Sequence, residues 1–226
     1  MLWKSLAAVL EPEMQRFLQQ RVDLAEYLLS EVRLSHYADV ALILTAVLSA
    51  CAAHRWPGTG INRKRFIELL ALHSLERFHT TWVSVPALIN DKLIQETETP
   101  YGRPGMSTMI FCDEEIDLSI QEAGNHYPNI SVKHLRNHCY SSLIYVWLRC
   151  GYAHEYVANE NITHVPASRR TARLSYIGRN IGGQQERLRR MVSIHPEYLI
   201  ELARYHVATM PDAPCQKPQT WWIEQS

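Results

Sequence analysis

Residues 132–150 constrain the fold more strongly than any other part of the chain. At about 100° per residue, apolar side chains fall on almost every face of a helix over this segment. Leu135, Leu143 and Val146 form one stripe, and Trp147 fills part of the remaining surface. A helix this apolar has to be covered by its own bundle or by a second subunit. The segment therefore predicts a helical bundle around one long central helix.

Five further segments have the apolar periodicity of helices. They are residues 13–34, 37–53, 63–72, 84–94 and 113–123. Segment 37–53 is apolar almost all round, so we expect it at the centre of the bundle. Asn62 and Ser84 are placed to cap the N-termini of the third and fourth of these helices. Residues 96–108 contain two prolines and two glycines and are predicted as a loop.

The pattern changes after His154. Residues 162–165 and 171–177 predict two short strands, joined by a turn at 166–170 into a β-hairpin. Residues 191–207 predict a final helix. The expected fold class is therefore mainly α, a helical bundle with a small β-hairpin and a C-terminal helix. We expect one domain over residues 1–210, with a core at about 12–160 and the hairpin and helix added over 161–210. The tail at 211–226 is predicted either to dock as an arm or to stay mobile.

Charge and cysteine content narrow the class of protein. The 226-residue chain has no net charge, so no global field favours nucleic acid. Its five cysteines are odd in number and include no Cys-x-x-Cys pair, which indicates a reduced protein with buried thiols. The longest apolar run, residues 40–53, is shorter than the roughly 20 residues that span a membrane, and no signal peptide is predicted. We therefore expect a cytoplasmic protein without a membrane segment.

Arginines are concentrated in one stretch near the C-terminal end of the chain. Seven arginines, opposed only by Glu186, lie between residues 169 and 190. This stretch is either an ordinary solvated surface or a rim that follows the phosphates of a nucleic acid. On the second interpretation, Arg169, Arg170 and Arg173 are candidate RNA-binding residues.

Arg149 and His154 are the strongest candidates for chemistry. Arg149 ends the long apolar helix, Gly151 is expected to turn the chain, and His154 follows. A guanidinium binds phosphate as a planar fork, and an imidazole exchanges protons near neutral pH. Tyr145 and His138 lie on the same helical stripe as Arg149. They are secondary candidates for RNA binding, although tyrosine and histidine at such positions are commonly packing residues.

Two other patterns are weaker. Arg190 and His195 repeat the same spacing, but Arg190 lies in the arginine-rich stretch expected at the surface, so we interpret this second copy as chance. His134 and His138 have the i, i+4 spacing of some zinc sites. No second pair of ligands accompanies them in the sequence. We therefore predict neither a metal nor a cofactor.

Residues 148–155, Leu-Arg-Cys-Gly-Tyr-Ala-His-Glu, resemble the Arg-x4-His motif of the HEPN superfamily (higher eukaryotes and prokaryotes nucleotide-binding). The resemblance extends to the preceding helices and to residues 57–58 and 62–70, and it covers about residues 12–160. It implies an HEPN-like helical bundle, often dimeric, in which Arg149 and His154 match the family's active pair. The family commonly has Asn, Asp or His at the next position, where this chain has Cys150.

The resemblance implies two classes of function. Many HEPN proteins are metal-independent RNA endonucleases in toxin–antitoxin, anti-phage and CRISPR systems. In that case the chain would be a homodimer that cleaves RNA at a site shared between protomers, with an antitoxin or other regulatory protein as a further partner. The alternative is a catalytically inactive HEPN module that binds nucleic acid, a nucleotide or a regulatory protein. For cleavage, RNA supplies its own 2′-hydroxyl nucleophile, His154 would transfer protons and Arg149 would stabilise charge on phosphorus.

Overall fold

The computed structural model describes residues 2–31, 36–106, 109–156, 159–163, 172–181 and 187–225 of the chain. In chain order, its α-helices are α1 (Leu2–Glu31), α2 (Tyr37–Arg55), α3 (Asn62–His73), α4 (Val85–Asn90), α5 (Ile120–His126), α6 (Val132–Asn137), α7 (Tyr140–Leu143), α8 (Cys150–Glu155) and α9 (Pro196–Ala208). The strands are β1 (Phe111–Cys112), β2 (Leu174–Ile181) and β3 (Arg187–Ile194). The prediction of a mainly helical protein with a small β element is confirmed.

Helix α2 is the centre of the bundle, as its apolar sequence predicts. It packs against α1, α3, α9 and the segment that follows α7. Val40, Leu44 and Leu48 are fully buried there. By length and composition α2 could cross a membrane, yet half of it is buried inside this bundle. Because α9 packs against both α1 and α2, the C-terminal helix belongs to the same core as the N-terminal helices.

The predicted central helix over 132–150 is interrupted and then extended. Helix α6 ends at Asn137, and a new helix begins at Tyr140. The interruption arises because a neighbouring segment takes over the backbone hydrogen bonds: Tyr140 N–H donates to the Trp82 carbonyl, and Ser141 N–H to the Thr80 carbonyl. From Tyr140 the chain stays helical through a wider π turn, Ile144–Arg149, and continues as α8 to Glu155.

The sheet is antiparallel, in the order β1-β2-β3. β2 and β3 form a hairpin, paired from Leu174 with Ile194 to Ile181 with Arg187. It is not the predicted hairpin: β2 overlaps the predicted strand at 171–177, but its hairpin partner is β3 and not the segment at 162–165. The predicted start of the last helix at residue 191 is wrong, because residues 191–194 belong to β3 and α9 starts at Pro196. Of the predicted strand at 162–165, Ile162 forms one parallel bridge with Val192, and residues 164 and 165 lie outside the described residues, as does the predicted turn at 166–170.

The starts of other helices also test the prediction. Helix α3 begins at Asn62 itself, with Ile61 preceding it as the cap position, so the prediction of Asn62 as N-cap is wrong by one residue. At α4 the prediction is confirmed, since Ser84 Oγ accepts a hydrogen bond from Ala87 N–H. The acidic segment predicted as one helix over 113–123 is a short 3-10 turn, Asp113–Glu115, followed by α5.

Asp117 joins three elements at the centre of the molecule. Its carboxylate accepts hydrogen bonds from the hydroxyls of Tyr140 on α7 and Tyr176 on β2, and from Val85 N–H at the start of α4. The side chain is buried. Burial raises the pKa of Asp117 to about 8, although all three donors act in the opposite direction.

The C-terminal tail docks on the bundle, which decides between the two predicted alternatives. Cys215 N–H donates to the Arg55 carbonyl at 2.7 Å, and Trp222 N–H donates to Glu68 Oε2 at 2.5 Å. The Trp221 ring meets Trp56 edge to face, with 5.7 Å between centroids. The tail therefore covers the C-terminal end of α2 and one side of α3.

Candidate functional site

Arg149 and His154 meet at the protein surface. Arg149 Nη1 lies 3.4 Å from His154 Nε2. A guanidinium has no acceptor, so in this contact Arg149 donates and His154 accepts through an unprotonated Nε2. Arg149 is half-buried and His154 is exposed. The two residues that the sequence analysis singled out for chemistry thus form one pair that solvent reaches.

The helix geometry that brings the pair together differs from the prediction. Arg149 was expected to end the helix and Gly151 to turn the chain, but Gly151 lies inside α8. In the π turn, Cys150 N–H donates to the Tyr145 carbonyl, five residues back. Such wider turns are rare in proteins and occur frequently at functional sites.

Tyr145 links the pair to the hydrophobic core. The Arg149 guanidinium carbon lies 5.4 Å from the centroid of the Tyr145 ring, a cation–π distance. The Tyr145 ring packs in turn on Phe66 of α3, with 5.2 Å between centroids. Burial and Cys150, which hydrogen-bonds its side chain, raise the pKa of Tyr145. Tyr145 was predicted as an RNA contact. In the structure its ring lies between the Arg149 guanidinium and the core residue Phe66.

The other end of α8 is also fixed. Tyr156 adopts a left-handed backbone conformation, which ends the helix just after His154. Its hydroxyl donates to Asp39 near the start of α2. This hydrogen bond lowers the pKa of Asp39. His154 is therefore carried on a helix held at both ends by the bundle.

Two arginines near the pair were not predicted from the sequence as site residues. Arg63 and Arg65 lie in the first turns of α3. The positive charge of Arg63 acts on Tyr145, and that of Arg149 acts on Arg65. The pKa of Arg65 is lowered, mainly by burial and also by the positive charge of Arg149, and Tyr145 acts in the opposite direction. The basic run at residues 63–65 was the available signal, and it entered the sequence analysis only as part of a resemblance.

The hydrogen bonds of these two arginines go to neutral groups. Arg65 Nη1 donates to the carbonyls of Trp56 and Gly58, both at 3.1 Å. Arg63 Nη2 donates to Asn137 Oδ1 at 2.9 Å. Over the residues that the structure describes, none of the ion pairs includes Arg63, Arg65 or Arg149. We call these three residues the arginine cluster.

The remaining predicted RNA contacts lie elsewhere. His138 is buried at the end of α6, where Nε2 lies 2.9 Å from Asp91 Oδ2 and Nδ1 lies 2.7 Å from the His134 carbonyl. Arg173 forms ion pairs with Asp113 and Glu114. Both side chains therefore have structural partners of their own. Arg169 and Arg170 lie outside the described residues.

The arginine-rich stretch is not a uniform surface rim. Arg190, expected at the surface, is fully buried. Its guanidinium lies 3.7 Å from the centroid of the Tyr101 ring and forms an ion pair with Glu96. Burial lowers the pKa of Arg190 to about 10. His195, the other half of the second Arg-x4-His copy, is also buried, so this copy is not an exposed pair.

Comparisons of the chain with protein-family models, with curated proteins and with solved structures give no match in any of the three. Nor does the described part of the chain contain a group of three or more His, Cys, Asp or Glu side chains arranged to hold a metal ion.

Proposed function

We propose that this protein is an HEPN-type RNA endonuclease that works without a metal ion. The observation that carries the proposal is the contact between Arg149 and His154, with 3.4 Å between Nη1 and Nε2, on a surface that solvent reaches. The arginine cluster around it supports binding of an anion, because none of the ion pairs among the described side chains neutralises these like charges, which repel one another until a negative group arrives. The phosphodiester of RNA fits that requirement.

The proposed reaction uses the substrate's own nucleophile. His154 Nε2 accepts the proton of the 2′-hydroxyl while the 2′-oxygen forms a bond to phosphorus. The bond from phosphorus to the 5′-oxygen breaks, and a protonated imidazole returns a proton to that oxygen. Arg149 donates to the phosphate oxygens, whose negative charge grows as the reaction proceeds. The products are a 2′,3′-cyclic phosphate and a 5′-hydroxyl.

RNA entry requires a small rearrangement of the pair. In the ligand-free protein the Nε2 lone pair of His154 is occupied by the Arg149 hydrogen bond. A phosphate that binds the guanidinium provides a new acceptor for Arg149 and frees Nε2 for the 2′-hydroxyl. The substrate itself therefore separates the acid–base residue from its resting partner.

We also propose a homodimer, although the apolar segment 132–150 that first suggested it is mostly covered within one chain. Most of the apolar residues over 132–150 are buried within a single chain, so that helix needs no second subunit to cover it. Among the described residues, Val146 in the π turn and Tyr156 after α8 are the exposed large apolar residues closest in sequence to the pair. A dimer formed there would bring His154 of the partner subunit to the same phosphate, as acid opposite base. An antitoxin or regulatory protein is a further proposed partner.

The test is RNA cleavage by Arg149→Ala and His154→Ala. If the proposal is right, each variant loses about 10²-fold to 10⁴-fold in rate while its unfolding midpoint stays near that of the wild type, because both side chains lie at the surface. Cleavage should continue in EDTA and leave 5′-hydroxyl ends.

Arg190 and His195 are buried and unsuitable as controls. The controls are His134→Ala, which is exposed on α6, and Arg204→Ala, which is half-buried on α9 and pairs with Glu26. Unchanged cleavage by His154→Ala would refute the proposal.

A second candidate is a catalytically inactive HEPN module that binds nucleic acid, a nucleotide or a regulatory protein. The observation that favours it is Cys150, which holds the position where the family commonly has Asn, Asp or His. Its thiol is a weak hydrogen-bonding group and is engaged with Tyr145. RNA binding without cleavage by the wild-type protein would select this candidate.

A further inference from the structure

We infer that Arg63, with Arg65 beside it, forms a second phosphate subsite, which binds a phosphate of the RNA strand next to the one that is cleaved. This inference deepens the proposed function and rests on it, because the subsite is defined relative to the phosphate at Arg149 and His154. It assigns an RNA-binding role to the first turns of α3, an element separate in sequence from the Arg-x4-His motif.

Packing places Arg63 and Arg149 on two neighbouring elements. The Arg149 guanidinium lies 5.4 Å from the centroid of the Tyr145 ring, and Arg63 lies on α3 one turn before Phe66. Phe66 packs against the same ring. The core therefore fixes α3 and the π turn, the two elements that carry Arg63 and Arg149, relative to one another. A strand that reaches Arg149 passes close to Arg63.

The hydrogen bonds of the two arginines leave Arg63 able to bind a phosphate. Arg63 is exposed and donates one hydrogen bond, from Nη2 to Asn137 Oδ1. A guanidinium has five N–H donors, so Arg63 retains donors for a phosphate while Asn137 fixes its direction. Arg65 is bound by backbone carbonyls of the 56–58 loop, and its pKa is lowered by burial first and also by the positive charge of Arg149. Arg65 thus supplies charge and holds the loop.

Lys64 is basic like its two neighbours but already has a carboxylate partner, so we do not include it in the subsite. It lies between the two arginines, but its Nζ is 2.6 Å from Glu224 Oε1 of the C-terminal tail. Its charge is thereby already matched by a carboxylate. Lys64 and Arg63 are both basic and lie on the same helical turn, and only Arg63 belongs to the arginine cluster. Lys64→Gln is therefore the matched control for Arg63→Gln.

The binding experiment uses the His154→Ala protein, so that labelled single-stranded RNA stays intact during fluorescence anisotropy titrations at several KCl concentrations. Arg63→Gln is expected to weaken binding about five-fold at low salt and to reduce the slope of log K against log salt by about 0.7. Lys64→Gln is expected to change neither. Arg63→Lys restores a positive charge and should restore the slope. Equal effects of Arg63→Gln and Lys64→Gln would overturn the subsite.

Two further measurements separate the subsite from its alternatives. Arg63→Gln in the wild-type background should raise KM for RNA and leave kcat nearly unchanged, because it removes binding away from the reacting atoms. A mononucleotide that competes as well as the RNA strand would overturn the inference in favour of a single-phosphate ligand.

If the wild type does not cleave RNA but Arg63→Gln still lowers the salt slope, the endonuclease proposal fails and RNA binding at α3 stands. If the wild type cleaves and Arg63→Gln behaves like Lys64→Gln, only the subsite fails.

Discussion

Cys150 is the residue in which this chain departs from the motif it resembles. It lies at the end of the π turn, half-buried, with its thiol engaged by the Tyr145 side chain. A thiol is a weak donor and a weak acceptor, whereas an amide side chain offers two donors and a carbonyl. A thiol at position 150 would therefore orient the phosphate proposed to bind at Arg149 less firmly than an amide would.

If the protein is the proposed endonuclease, Cys150→Asn is expected to preserve or raise RNA cleavage, because the amide can hydrogen-bond a phosphate oxygen bound beside Arg149. The measurement is the initial rate with excess RNA, together with KM. Cys215→Asn, in the docked tail beside Arg55, is the control and should leave the rate unchanged. A loss of cleavage specific to Cys150→Asn would indicate that the thiol itself has a role.

Arg190 gives a prediction about stability at the same scale. Arg190→Ala is expected to lower the free energy of unfolding by about 3 kcal/mol, because it breaks a buried ion pair and removes the group packed on Tyr101. The adjacent Arg189 forms a more exposed pair with Glu160. Arg189→Ala should therefore cost less than about 1 kcal/mol. Urea unfolding of the two variants checks the difference, and similar losses would contradict the burial of Arg190.

At the scale of elements, apolar periodicity predicted α2 and its central position, since only its own residues decide how apolar it is. The same reasoning failed wherever a distant segment competes for the backbone. No local pattern indicates that Trp82 and Thr80 will take the N–H groups of Tyr140 and Ser141. Likewise, residues 191–194 have a pattern compatible with a helix, and their pairing with β2 makes them a strand. Arg149 and His154 were accessible from the sequence, whereas Arg63 joined them only through the packing of α3.

Helix α9 carries a buried histidine with a defined pH dependence. Burial lowers the pKa of His206 to about 3, and the charges of His73 and Arg55 act in the same direction. Its Nε2 lies 2.9 Å from Ser74 Oγ. The unfolded chain therefore takes up a proton near pH 6.5 that the folded protein refuses. The stability contributed by neutral His206 is present above pH 6.5 and is lost as the pH falls towards 3.

His206→Gln is expected to remove this part of the acid sensitivity while keeping a polar group for Ser74. Between pH 6 and 4, the free energy of unfolding of the wild type should fall relative to that of the variant by up to about 1.4 kcal/mol per pH unit. The measurement is urea unfolding at a series of pH values. His134→Gln, exposed on α6, is the control, and parallel pH profiles for wild type and His206→Gln would refute the prediction.

At the scale of the whole molecule, Asp117 ties the helical bundle to the sheet through Tyr140 and Tyr176. Its raised pKa means that the folded protein holds a proton that the unfolded chain has already released above about pH 4. Folding is therefore linked to proton uptake, and stability falls as the pH rises from about 4 to about 8. This slope is opposite in sign to that of His206, so the two partly cancel below pH 6.5.

Asp117→Asn should flatten the pH dependence between 6.5 and 8, where His206 no longer contributes. The amide cannot ionise, and its oxygen can still accept from a tyrosine hydroxyl, so the variant is expected to fold. The free energy of unfolding of the wild type relative to Asp117→Asn should decline over this range. A difference that stays constant with pH would show that the carboxylate is ionised throughout and that its three donors outweigh burial.

The edge-to-face pair of Trp56 and Trp221 has a spectroscopic consequence. Each of these indoles is held in a fixed, asymmetric environment while the two rings stay packed, so part of the near-ultraviolet circular dichroism signal depends on this contact. One ring belongs to the bundle and the other to the C-terminal tail, so this part of the signal reports tail docking rather than helix content. A thermal melt followed at that wavelength and at 222 nm would thus separate release of the tail from unfolding of the core, without any added label.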